Sequence, residues 1–204
     1  YDAGDYMYHQ LLAQEGYIVF TIDPRGTMYR GAEFKKSTYL ELGKLEIEDI
    51  INAAIKLREY SWVDSDRIGI MGWSYGGFMA SLAITKGADV FKTAIAVAPV
   101  TNWRYYDNIY TERFMRTPQE NTSGYDENSP INHVDKMKGK YLLIHGSADD
   151  NVHYQNTMEM INAMVEADKQ FDLFIYPNKN HGIYGGNTRN HLFNMMLNYI
   201  KENL

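Results

Sequence analysis

Five short apolar runs rich in β-branched and aromatic residues punctuate this sequence: "YIVFTID" (17–23), "RIGIMG" (67–72), "TAIAVA" (93–98), "YLLIHG" (141–146) and "FDLFIY" (171–176). Amphipathic helical stretches separate them. A parallel pair of strands needs a long crossover, usually a helix, and a strand covered on both faces has no polar side. Apolar runs joined by helices therefore predict an α/β fold, a mostly parallel sheet flanked by helices.

The intervening segments fit that reading. "LGKLEIEDIINAAIKLREY" puts Ile47, Ile50, Ile51, Ala54 and Ile55 on one helical stripe, and "YQNTMEMINAMVEA" does the same with Met158, Ile161, Ala163 and Val165. A last helix over 187–203 turns Leu192, Met195, Met196, Tyr199 and Ile200 inward. The opening "YMYHQLLAQEG" reads as a helix closed by Gly16. From 101 to 135 the alternation stops, and an aromatic and polar stretch with Pro118 and Pro130 predicts two short helices and no strand. A long excursion from a regular α/β pattern is often functional.

At 204 residues the chain fits one domain or a large piece of one. No apolar run approaches the roughly 18 residues of a membrane span. A net charge of −6 with no basic stripe argues against a nucleic-acid partner. The absence of cysteine excludes disulfides, thiolate metal sites and a cysteine nucleophile. The first residues, "YDAGDYMYHQ", have no initiator Met, basic region or apolar leader, so the chain is expected to be cut from something longer.

The candidate chemistry begins at "IMGWSYGGFM" (70–79), where Gly72-Trp-Ser-Tyr-Gly76 falls between a predicted strand and a predicted helix. A sharp strand-to-helix turn lifts the Ser74 hydroxyl clear of the backbone, and the N–H of Tyr75 is placed to donate to an oxyanion. Serine is a weak nucleophile and needs a histidine base, which needs an acid to fix its tautomer. In elbow hydrolases the order is serine, acid, histidine. Downstream, "YLLIHG" runs into Asp149 and Asp150, between which spacing does not choose, and "FDLFIY" runs towards His181. Loops at the carboxyl ends of parallel strands are where open α/β sheets collect such groups.

Of the six histidines, His9, His133 and His191 read as surface or packing residues. His145 reads as a residue that orients a loop, and His153 as a helix-cap or site-lining residue. No ligand spacing supports a metal at Asp149, Asp150, His145 and His153, and no cofactor is expected.

"GWSYGGFMA", "AVAPVTNWRYYDNIYTERFM", "YLLIHGSADDNVHYQ" and "NHGIYGG", in this order, resemble the carboxyl-terminal catalytic domain of the dipeptidyl peptidase IV group of the prolyl oligopeptidase family. The similarity runs over essentially the whole chain and includes "DPRGTMYRG" near its start. It implies an α/β-hydrolase fold whose amino-terminal strands are missing from these residues, with 1–204 as the peptidase portion. It also implies a serine exopeptidase that removes dipeptides from free amino termini, with Pro or Ala second. Carried over by position, Ser74 is the nucleophile, Asp149 the acid and His181 the base. Val100, Trp103, Tyr106, Tyr110, Val152 and the ring of Tyr75 form the proline pocket, and Asn151 bonds the substrate carbonyl. Tyr106 and Tyr110, four apart, share a face if their segment is helical.

The resemblance further implies an upstream tyrosine as second oxyanion donor, and an amino-terminal β-propeller whose paired glutamates hold the substrate amine. A homodimer and a periplasmic, cell-surface or secreted address are implied as well; Met and Phe at 193–197 fit either part of a dimer face or core packing, and core packing is the favoured reading. An acylaminoacyl peptidase, a prolyl endopeptidase, a carboxylesterase and an inactive binding module are the competing readings.

Overall fold

The computed structural model describes residues 6–204. Four parallel strands, β1 (Gly69–Trp73), β2 (Thr93–Val97), β3 (Lys140–Gly146) and β4 (Asp172–Tyr176), form one sheet in the order β1-β2-β3-β4. They fall on the last four predicted runs. The period of two in a strand divides the core: Ala94, Ala96, Tyr141 and Leu143 point to one face, and Ile95, Val97, Leu142 and Ile144 to the other.

Helices α3 (Lys44–Leu57), α4 (Tyr75–Lys86) and α7 (Gln155–Glu166) contribute to the first cluster through Ile47, Phe78, Leu82, Met160 and Met164. Helices α1 (Tyr6–Gln14) and α8 (Thr188–Asn203) contribute to the second through Tyr8, Leu12, Leu192 and Met196. Short helices α2 (Ala32–Lys36), α5 (Asn108–Met115) and α6 (Thr122–Asp126) lie in the connections. Helix α1 ends as predicted: Gly16 takes φ 94°, while Tyr17 N–H and Gly16 N–H bond back to the carbonyls of Leu12 and Ala13.

The run at 17–23 departs from expectation, because it is not a strand. It alternates as a strand would: Tyr17 and Val19 pack on the second cluster, and Ile18, Phe20 and Ile22 are exposed. What it lacks is a strand to pair with among the described residues, and alternation without a pairing strand leaves an unpaired segment. An apolar cleft of about 1530 Å³, lined by Ile18, Phe20, Ile22, Ile70 and Met71 among others, lies between this segment and β1.

Two helix faces differ from the expected ones, those of α3 and α7. On α3, Ile47 and Ala54 are buried while Ile55 is exposed, since the buried stripe is narrower than the apolar one. On α7 the buried set is Asn156, Thr157, Met160 and Met164, spaced three and four apart, so Met158 and Val165 face outward. On α8 the inward residues are as predicted, and the stretch 193–197 takes the core-packing role favoured for it rather than forming a free pairing face. Met196 and Leu197 are buried, and Phe193 and Met195 pack against the same cluster. The excursion at 101–135 holds α5, α6 and two 3-10 segments, Trp103–Tyr105 and Pro130–Lys136. Among the described residues no helix is long and apolar enough to cross a membrane.

Candidate active site

Strand β1 ends at Trp73 and helix α4 begins at Tyr75, so Ser74 alone makes the turn, at φ 58° and ψ −114°. A side-chain-bearing residue in so sparsely populated a region costs of order 1–3 kcal/mol. The bonds on either side impose it: Ser74 N–H donates to Val97 O at 2.8 Å, and Phe78 N–H donates to Ser74 O at 3.0 Å. The two glycines of the motif serve differently. A Cβ on Gly72 would lie 2.2 Å from both the carbonyl carbon and the oxygen of Gly76, so only glycine lets the helix approach the strand. A Cβ on Gly76 would meet open space.

Tyr75 is the first residue of α4, and its N–H has no acceptor within the helix. It stands at the positive end of a twelve-residue helix, close to the serine. The Tyr75 hydroxyl donates to Glu46 Oε1 at 2.6 Å, and Glu46 Oε2 accepts the Gly43 N–H at 3.0 Å. Burial pushes the Glu46 carboxyl above the usual carboxylate range, and these two bonds offset only part of that. Burial and the neighbouring Glu46 charge likewise raise the Tyr75 hydroxyl. The sequence reading assigned Glu46 no role. Its signal was an acidic side chain beside Ile47, on the buried stripe of an otherwise amphipathic helix.

After β3 the chain enters the loop that carries both aspartates, and burial separates them at once. The Asp149 side chain is fully buried and Asp150 is exposed. Asp149 Oδ1 accepts the N–H groups of Asn151 at 3.0 Å and Val152 at 2.9 Å. Its Oδ2 lies 2.8 Å from His181 Nδ1 and 3.1 Å from His145 Nε2. Burial works to raise the Asp149 carboxyl, but the bonds from His145, His181 and the backbone outweigh it and hold the group well below the usual range. Asp149 is thus a carboxylate at neutral pH. A carboxylate only accepts, so His181 Nδ1 carries the proton and Nε2 is left with its lone pair.

His181 follows β4, and the indole N–H of Trp73 donates to its carbonyl at 3.0 Å, which ties the histidine loop to the elbow. Neither Ser74 Oγ nor His181 Nε2 is hydrogen-bonded among the described residues. Such contacts commonly tighten only when substrate arrives.

The pocket residues also converge. Trp103 stacks on Tyr110 with centroids 5.7 Å apart, meets Tyr106 edge-on at 5.7 Å and lies 5.4 Å from Tyr75. Val100 and Val152 are buried in the same cluster. The Tyr106 hydroxyl donates to Asn151 Oδ1 at 2.7 Å, joining the aromatic segment to the acid-bearing loop. Tyr106 and Tyr110 do not share a helix, however. Tyr106 is extended at φ −114° and ψ 165°, Asp107 caps α5, and the rings meet edge-on at 5.3 Å. A cavity of about 560 Å³, lined by Tyr106, Asn151, His153 and His181 among others, opens here. His153 thus lines this cavity. His133 bonds Glu127 O, and His191 bonds the Tyr176 hydroxyl, both away from it.

The sequence profile of the prolyl oligopeptidase family matches residues 5–204. Prolyl endopeptidase FAP of Mus musculus is 42% identical over 195 residues, 94% of this chain and 26% of that protein. Venom dipeptidyl peptidase 4 of Apis mellifera is 49% identical over 177 residues, 84% of this chain and 23% of that protein. The crystal structure of Porphyromonas gingivalis dipeptidyl peptidase 4 superposes with a TM-score of 0.95 at 49% identity, covering 97% of this chain and 28% of that one. The chain thus spans about a quarter of the length of these proteins.

Proposed function

The chain belongs to the prolyl oligopeptidase family of serine peptidases, and from that premise we propose that it is the catalytic portion of an exopeptidase. It releases amino-terminal dipeptides with Pro or Ala second, through an acyl-enzyme on Ser74. The observation that carries this is the bond between His181 Nδ1 and the buried Asp149 carboxylate, made by two loops of which one is tied through Trp73 to the turn that holds the strained Ser74.

In this mechanism Ser74 Oγ attacks the scissile carbonyl and His181 Nε2 takes its proton. Asp149 keeps the other ring nitrogen protonated and stabilises the imidazolium. The Tyr75 N–H donates to the oxygen on which negative charge develops. His181 then gives its proton to the departing amine, and in the second half it takes one from the water that releases the dipeptide.

The aromatic pocket supports proline in the second position. A pyrrolidine ring is compact and apolar and has no N–H once acylated, so flat walls from Tyr75, Trp103, Tyr106 and Tyr110 enclose it without stranding a donor. Asn151 holds a substrate carbonyl, and a second oxyanion donor and the anchor for the free amine come from the rest of the protein.

A second reading is favoured by the relative named a prolyl endopeptidase, 42% identical to this chain. A substrate panel on the full-length protein separates the two. The exopeptidase reading expects cleavage of free-amine Gly-Pro and Gly-Ala chromogenic substrates, and little of the same peptides with the amine blocked. Preference for the blocked peptides would overturn it.

A further inference from the structure

His145 lies in β3, its ring is wholly buried beside the acid-bearing loop, and the reaction above gives it no task. Its Nε2 is 2.8 Å from the carbonyl oxygen of Val152, which can only accept, so Nε2 carries a hydrogen. Its Nδ1 is hydrogen-bonded to Thr157 Oγ1 on α7 at 2.7 Å. Both ring nitrogens are therefore hydrogen-bonded.

What it grips is the loop that aims Asp149. Val152 is held from both sides: its carbonyl accepts from His145, while its N–H donates to Asp149 Oδ1. The same Nε2 lies 3.1 Å from Asp149 Oδ2, the oxygen that faces His181. Asp149 Oδ2 thus sits between two imidazoles, one rooted in the sheet and one on the loop after β4.

We propose that His145 is a positioning residue, which through Val152 and Asp149 Oδ2 sets the aim of the carboxylate that orients His181. The proposal rests on the reading of Ser74, Asp149 and His181 as the catalytic set. His145 touches neither substrate nor reacting atoms and acts only through Asp149.

The test uses the full-length protein and three variants: His145→Gln, His145→Asn and Thr157→Val. The amide nitrogen of glutamine reaches the place of Nε2 and keeps the donor to Val152, whereas that of asparagine reaches only the place of Nδ1. Reactive sites are first counted by stoichiometric titration with a fluorophosphonate, and kcat and KM on a Gly-Pro substrate are then expressed per titrated site.

His145→Asn is expected to lose about 10-fold in kcat per site, the upper end of what one hydrogen bond is worth, with KM changed far less. His145→Gln should stay within about threefold of wild type, and Thr157→Val should lose about threefold or more through loss of the hydroxyl that seats the ring at Nδ1. A purely structural histidine would give fewer titrated sites and a lower melting temperature, but wild-type kcat per site in the asparagine variant. That result would overturn the proposal. Should the asparagine variant not fold, Thr157→Val decides alone, and unchanged turnover per site there counts against it. Absence of label at Ser74 in the wild type would instead sink the catalytic reading beneath.

Discussion

Replacing Asp149 by asparagine changes one atom and turns the site's hydrogen bonding against itself. In the native arrangement Oδ1 receives two backbone N–H groups and Oδ2 faces two imidazole nitrogens. An amide keeps only one accepting end. With its oxygen on the backbone pair, its NH₂ faces His181 Nδ1, which must give up its proton and move it to Nε2, where the ring no longer serves as a base. With the amide reversed, the buried N–H groups of Asn151 and Val152 lose their acceptor, at about 1–3 kcal/mol each. The first arrangement is therefore favoured, and the protein folds with the wrong tautomer. In a serine triad that change costs about 10⁴ in kcat. The side chain of Asp149 is fully buried and does not line the cavity beside His181, so under the proposed function KM should move little. Steady-state hydrolysis of a free-amine Gly-Pro substrate by the full-length variant measures both constants. A folded variant that keeps kcat within about 10-fold of wild type would refute the assignment of Asp149 as the acid.

Other perturbations read other parts of the account. Tyr75→Phe leaves the buried Glu46 carboxylate without its 2.6 Å donor and should destabilise by about 1–3 kcal/mol, measured by denaturant unfolding, whereas Glu46→Gln keeps a partner for the hydroxyl and should cost less. Gly72→Ala forces a Cβ against the Gly76 backbone, which cannot yield, and should cost about 3 kcal/mol or more, seen as loss of soluble protein or of Ser74 labelling. Acid should destabilise through Asp149. A carboxyl whose pKa is depressed on folding stabilises above its unfolded value near 3.9 and loses that contribution as pH falls through it towards the folded value. Unfolding followed from pH 6 downward should therefore show a shallower acid-side slope in Asp149→Asn than in wild type. Tyr106→Phe removes the bond to Asn151 and should raise KM for Gly-Pro substrates by about 3- to 10-fold with kcat nearly unchanged.

The parts of this molecule that could be read from the sequence are those governed by short-range patterns. β2 and β3 could be placed because a strand buried on both faces is apolar along most of its length, and the elbow could be placed because a strained turn beside a close-packed helix needs glycine at 72. The run at 17–23 carries the same local pattern and still is not a strand, because pairing depends on a partner elsewhere and sequence alternation does not reveal one. Asp149 and Asp150 are adjacent and chemically identical. Only the fold buries one against two histidines and turns the other to solvent. Tyr106 and Tyr110 meet through an Asp107 cap rather than along a helix, so the proximity inferred from spacing held while its geometry did not. Glu46 lies 29 positions before its partner Tyr75, a distance over which no periodicity speaks.

The central claim is that Ser74 is the nucleophile served by His181. Its most direct test is the site of covalent labelling when the full-length protein is treated with a fluorophosphonate and the modified peptide is mapped. The account predicts a single label on Ser74, lost in Ser74→Ala, strongly slowed in His181→Ala and competed by a Gly-Pro substrate. A protein that hydrolyses Gly-Pro peptides but is labelled elsewhere, or is labelled at Ser74 equally well without His181, would contradict it.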